Sequence, residues 1–166
     1  MLFRSWLYPV TQGATTIWER WDGQKPDGTF QDVGMNSFNH YAYGAIGEWL
    51  YTYVAGIKID TENPGYKHFF LAPHPGGGLT NVAATFQSVY GEIKSGWKIE
   101  NGQMTYEVKV PANSTATVTL PSAQLENVTV NSAALKENAL MAASQTGKTV
   151  SLKLGSGEYK FSYPMN

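Results

Sequence analysis

The sequence contains no cysteine, which excludes disulfides, thiolate metal sites and cysteine nucleophiles but leaves the redox compartment open. Charge is also scarce. Charged residues make up 15% of the 166 residues, against about 25% in an average globular chain. The 12 Lys and Arg are scattered and the formal net charge is -1, so no basic patch marks a nucleic acid or an anionic membrane as partner. No run approaches the ~20 apolar residues of a membrane span. The opening, Met1 to Pro9, has neither the basic start nor the small-residue cleavage site of an export signal. It begins abruptly on aromatic residues, as a segment of a larger protein would.

Apolar and aromatic residues are plentiful. Hydrophobic residues reach 42%, enough for a sizeable core, and aromatics 13%, with five Trp and ten Tyr. Weakly charged, aromatic-rich surfaces suit neutral hydroxylated ligands, because a ring face packs on C–H faces while its polar tip hydrogen-bonds.

Two regimes meet near Gly56 to Tyr66. Before that point Phe38, Tyr41, Ala42, Ala45, Ile46, Trp49, Leu50 and Tyr53 recur at three- and four-residue steps. This spacing predicts a helix over 38–55, with Ser37 as N-cap, Gly56 as stop and one broad buried stripe. A shorter helix is expected after Thr16. Between the two, 22–36 is polar and rich in turn formers, a loop long enough to be functional. Beyond Pro64 the pattern turns strand-like: 67–72, 82–89, 92–99, 104–110, 115–120, 128–130, 149–154 and 159–163 are short β-branched or aromatic runs bounded by Gly, Pro, Asn or Ser. Asn101-Gly102 and Gly155-Ser-Gly157 are tight-turn candidates. Such runs predict an antiparallel β-sandwich.

Reactive groups concentrate in the first third. Glu19 stands between Trp18 and Trp21, where flanking indoles favour a carboxylate poised to take a proton from water. Thr16-Ile-Trp-Glu19 also has the form of a capping box, in which the carboxylate serves a backbone N–H, and both readings stand. His40, in the first turn of the expected long helix, is disfavoured from protonating by the helix dipole and suits a hydroxyl contact; packing is the alternative. Asn36 and Asn39 offer amides or caps beside it. Asp22, Asp27 and Asp32 lack EF-hand spacing and read as turn formers. Glu48 reads as a structural carboxylate, buried in a hydrogen-bonded pair. His68 and His74 lack the partners of zinc ligands. Gly76-Gly-Gly78 lacks the lysine of a phosphate loop, and no Gly-x-Ser-x-Gly elbow occurs. Neither a metal nor another cofactor is expected.

The run from Gly13 to Trp21, then Ser-Phe-Asn-His40-Tyr-Ala-Tyr-Gly-Ala-Ile-Gly-Glu-Trp-Leu-Tyr, then Gly-Tyr-Lys-His-Phe-Phe-Leu-Ala-Pro73, resembles the C-terminal portion of bacterial α-L-rhamnosidases of glycoside hydrolase family 78. The likeness runs over nearly the whole chain. It implies an α+β fragment: terminal helices of an (α/α)6 barrel over 1–60, followed by an antiparallel β-sandwich over 61–166. It further implies that Glu19 is the general base of an inverting hydrolysis and that His40 contacts rhamnose, with Trp18 and Trp21 lining the sugar site. The partner would be a rhamnose-containing glycan or glycoside. Inverting hydrolysis needs two carboxyl groups roughly 6.5–9.5 Å apart, and nothing in this sequence matches the family's acid motif. The chain is therefore expected to be inactive alone, with its acid in a missing N-terminal part of the same enzyme.

Two other readings compete: a stand-alone carbohydrate-binding β-sandwich, and a structural module docking through its helices. A cut barrel should leave Trp18, Trp21 and some of Phe38, Tyr41 and Trp49 accessible, or covered by a second copy. Organism, linkage and compartment are not written in the sequence.

Overall fold

The computed structural model describes residues 5–34, 37–138 and 141–165. The chain divides into two compact units between Gly47 and Glu48.

In the first unit a short helix, α1 (Leu7–Thr11), leads into irregular backbone. Against expectation, residues 17–34 contain no helix. The segment is strung instead along residues 37–40: Glu19 N–H donates to Ser37 O at 2.8 Å and His40 N–H to Ile17 O at 2.8 Å, while Thr16 Oγ1 donates to Phe38 O. Backbone groups engaged across so long a loop are unavailable for an isolated helical turn, whose nucleation is already unfavourable. The loop itself is folded by Asp27, whose Oδ1 accepts from Thr29 N at 2.9 Å and Thr29 Oγ1 at 2.7 Å. Asp32 does likewise with Gly34 N at 2.8 Å. These are Asx turns.

The expected 38–55 helix is shorter and less regular. A 3-10 turn (Tyr41–Ala45) runs into α2 (Ile46–Trp49) and then a π-helical turn (Leu50–Val54), closed by Ala55 N–H to Leu50 O at 2.9 Å. Ser37 and Phe38 lie outside it because their backbone is committed to the 16–19 segment. The apolar stripe, expected to be buried, is exposed from Tyr41 to Tyr53, with Tyr41 at 90%. Gly56, at φ +79°, ends the run.

The second unit is a two-sheet sandwich. β1 (Ile57–Ile59), β2 (His68–Leu71), β6 (Thr115–Pro121), β10 (Thr149–Leu154) and β9 (Ala143–Thr146) form one sheet in that spatial order. β3 (Asn81–Ser88), β4 (Gly91–Glu100), β5 (Gln103–Val110), β11 (Gly157–Pro164), β7 (Thr129–Val130) and β8 (Ala133–Ala134) form the other. β1 is not among the strands expected from the sequence and precedes residue 61, yet it pairs Ile57 with Leu71. Ladders among the described residues are antiparallel except β2 with β6, where Phe69 faces Ala116. The β3–β5 meander leaves for the second sheet between these strands and returns the chain in the same direction, as a parallel pair requires.

Strict alternation makes the core. Phe69 and Leu71, Ala116, Val118 and Leu120, and Val150, Leu152 and Leu154 face Ile93 and Trp97, Met104, Tyr106 and Val108, and Phe161 and Tyr163, all buried. Asn101-Gly102, at φ +50° and +74°, makes the two-residue turn between β4 and β5. Gly155-Ser156 instead carries the chain from one sheet to the other.

Candidate functional site

The seam between residues 16–19 and 37–40 brings Glu19 and His40 onto neighbouring segments. Two backbone bonds, through Glu19 N–H and His40 N–H, fix both residues by their own amides. Glu19 is half-buried and sits in no helix, so the capping-box reading has no helix to cap. His40 likewise stands one residue ahead of the helical run rather than inside its first turn.

The two tryptophans diverge. Trp18 is only 6% exposed, its ring meeting Phe38 edge-on at 5.0 Å, which corrects the expectation that it is accessible. Trp21 is 40% exposed and begins a chain of rings: Trp6 at 5.8 Å, Tyr43 at 6.0 Å from Trp6, and His40 at 5.1 Å from Tyr43. Sequence reasoning misses Trp6 and Tyr43 as site residues. Tyr43 follows His40 by three residues, the spacing of neighbours on a helix, and that signal could have found it. A pocket of about 250 Å³ is walled by Trp6, Val10, Ile17, Trp18, Trp21 and Ile46.

Of the remaining candidates, Asn36 lies outside the described residues, and Asn39 is exposed. Asp27 and Asp32 have oxygens engaged in turns, and Asp32 also lies 3.5 Å from Arg20. Hydrogen bonds from the Thr29 hydroxyl and N–H hold the Asp27 carboxyl below its ordinary range. Glu48 is exposed, not buried in a pair. In the second unit His68 bonds Asp60 and Thr117, and His74 stacks on Tyr53. The charged outer face of β4, β5 and β11 is internally paired: Glu107 takes Lys94 at 3.1 Å and Lys160 at 3.3 Å, and Lys109 takes Glu92 at 3.1 Å.

Chemically, the first unit offers one placed carboxylate, one imidazole and a lane of exposed rings. Such a set can activate water and hold a hydroxylated ring.

Residues 2–54 match the bacterial alpha-L-rhamnosidase 6 hairpin glycosidase domain, and residues 56–134 the bacterial alpha-L-rhamnosidase C-terminal domain. An alpha-L-rhamnosidase of Streptomyces avermitilis is 47% identical over 120 residues, 72% of this chain and 12% of that protein. The crystal structure of a Streptomyces avermitilis alpha-L-rhamnosidase complexed with L-rhamnose superposes with a TM-score of 0.77 at 37% identity, covering 96% of this chain and 15% of that one. The alpha-L-rhamnosidase from Dictyoglumus thermophilum gives a TM-score of 0.79 at 29% identity, over 98% of this chain and 17% of that one. The chain thus spans a small part of the length of its relatives, across the junction of two of their domains. With the end of the helical-hairpin domain and the sandwich that follows it on one chain, the protein belongs to the bacterial alpha-L-rhamnosidase family.

Proposed function

We propose that this chain is the C-terminal part of an inverting α-L-rhamnosidase acting on terminal α-L-rhamnosides. Glu19 is its general base, His40 a contact to the sugar, and Trp21 an exposed wall of the sugar site with Trp18 packed behind. The observation that carries this reading is the pair of amide bonds that anchors Glu19 and His40 on adjacent segments. Removal of the capping role leaves the Glu19 carboxylate without a competing structural duty at a helix end. The general acid falls to an upstream segment of such an enzyme, as the resemblance to the family implies, and the chain alone is inactive.

The carbohydrate-binding-module reading gains no support. The largest rings buried in the sheets, Trp97, Tyr106, Phe161 and Tyr163, pack in the core and line no surface platform.

The test is Glu19→Gln in an enzyme carrying the complete helical domain ahead of this chain. Gln keeps the shape and loses the basicity, so turnover is expected to fall roughly 10²–10⁴-fold with the fold intact. Near-normal turnover at unchanged stability removes Glu19 from the base role.

A further inference from the structure

A helix end leaves its last four carbonyls without intrahelical partners. Here the carbonyls of Tyr53 and Val54, the last two of the helical run, and those of Ala55 and Gly56 just past it are taken up by the sandwich. Tyr53 O accepts from His74 N–H at 3.2 Å and lies 3.2 Å from His74 Nδ1. Val54 O accepts from the Trp97 indole Nε1 at 3.0 Å, and Ala55 O from Ser95 Oγ at 2.6 Å. Gly56 O accepts from Ala72 N–H at 2.9 Å.

Trp97 and Ser95 occupy inward positions of β4 next to Ile93, where the alternation calls for apolar groups. Both are buried, and a buried donor is costly unless paired. Their partners are carbonyls at and just past the end of the helical run. Ser95 has one hydroxyl hydrogen, which goes to Ala55, so the Tyr106 hydroxyl 2.9 Å away donates to Ser95 Oγ. Tyr106 thereby fixes the rotamer that meets the helix. Ring stacking adds to the grip: Tyr53 lies between Trp49 at 5.5 Å and 18° and His74 at 4.0 Å and 12°. The approach is so close that a Cβ on Gly56 would come within 2.3 Å of the Ala72 and Pro73 backbone.

We propose that the β-sandwich is a clamp on the C-terminal end of the helical run, in which the Trp97 indole and the Ser95 hydroxyl hold residues 54 and 55. A run whose closing carbonyls are held in this way has little freedom to fray at that end.

Trp97→Phe removes the indole N–H while keeping most of the ring volume, and Ser95→Ala removes the hydroxyl. In the 166-residue chain each is expected to speed amide exchange over residues 50–55 by about tenfold, leaving β5 and β11 unchanged. Unaltered exchange over 50–55 in both variants, or equal acceleration across the whole sandwich, overturns the clamp. Should Trp97→Phe not fold, Ser95→Ala decides.

Discussion

His68 Nδ1 lies 2.7 Å from Asp60 Oδ2, and its other ring nitrogen is 2.9 Å from Thr117 Oγ1 on β6. One imidazole thus ties the turn after β1 to the parallel strand beyond β2. Asp60 also accepts from Asn63 Nδ2 at 2.9 Å and Glu62 N–H at 3.0 Å.

These donors give a pH dependence with a definite sign. The Asn63 amide first, then His68 and the Glu62 N–H, hold the Asp60 carboxyl below its ordinary value. A depressed folded pKa supplies stability above the unfolded value of about 3.9, and that stability is lost as pH falls through the folded value. Asp60→Asn should therefore lower the urea midpoint near neutral pH, and the gap to the unmodified chain should narrow as pH falls below about 4. A gap of constant size across a denaturation series into strong acid would show that charge on Asp60 is not what the turn uses.

Two glycines with the same backbone hand should respond differently to a methyl group. Gly102 has φ +74° and open space where a Cβ would stand, whereas Gly56 has φ +79° and backbone 2.3 Å from that position. Gly102→Ala is expected to cost about 1–2 kcal/mol, the left-handed penalty alone. Gly56→Ala adds a collision with Ala72 and Pro73 that no rotamer relieves, and should cost about 4 kcal/mol or fail to fold. Equal thermal midpoints for the two variants would contradict the close approach.

Trp18 and Trp21 are neighbours in the motif with opposite surroundings. Trp18→Ala empties a buried site against Phe38 and should cost roughly 3–5 kcal/mol, with sugar affinity lost only as a consequence of misfolding. Trp21→Ala, like His40→Ala, should leave stability near normal and raise KM in an enzyme with the complete helical domain. Stability measurements beside steady-state kinetics separate the two, and a reversed assignment would place the sugar-facing wall on Trp18.

The strands are legible in the sequence because alternation on a half-buried sheet leaves a period of two. Met104, Tyr106, Val108 and Val110 go inward, with Thr105, Glu107 and Lys109 between them on the other face. Runs too short to show that period, such as Ala133–Ala134 and Ala143–Thr146, are not. Thr16 to Glu19 misleads for a physical reason. A capping box specifies a helix only when the amides it would cap are free, and the Glu19 amide is bound to Ser37, far along the chain. The same long-range bonds set Glu19 beside the His40 segment, so the motif residues can be named from sequence while their adjacency cannot. The helical stripe is legible as apolar but not as exposed, since periodicity reports a face and not what covers it.

The sandwich matches its family domain from residue 56, yet the compact unit begins at Glu48. Residues between these limits include Val54 and Ala55, both buried, together with the carbonyls that Trp97 and Ser95 hold. A chain cut to start at Gly56 would leave an indole N–H and a hydroxyl without their acceptors, each at a cost of about 1–3 kcal/mol where water cannot replace the partner. It would also lose the packing of Val54 on the core. A chain starting at Glu48 retains all of these contacts. Chemical denaturation of the two truncations should therefore give a lower midpoint for the shorter one, with excess exposure of Trp97 fluorescence to quencher. Coincident unfolding curves would mean that the sandwich satisfies Trp97 and Ser95 without the helix end, and that residues 48–55 are carried by the sandwich without stabilising it.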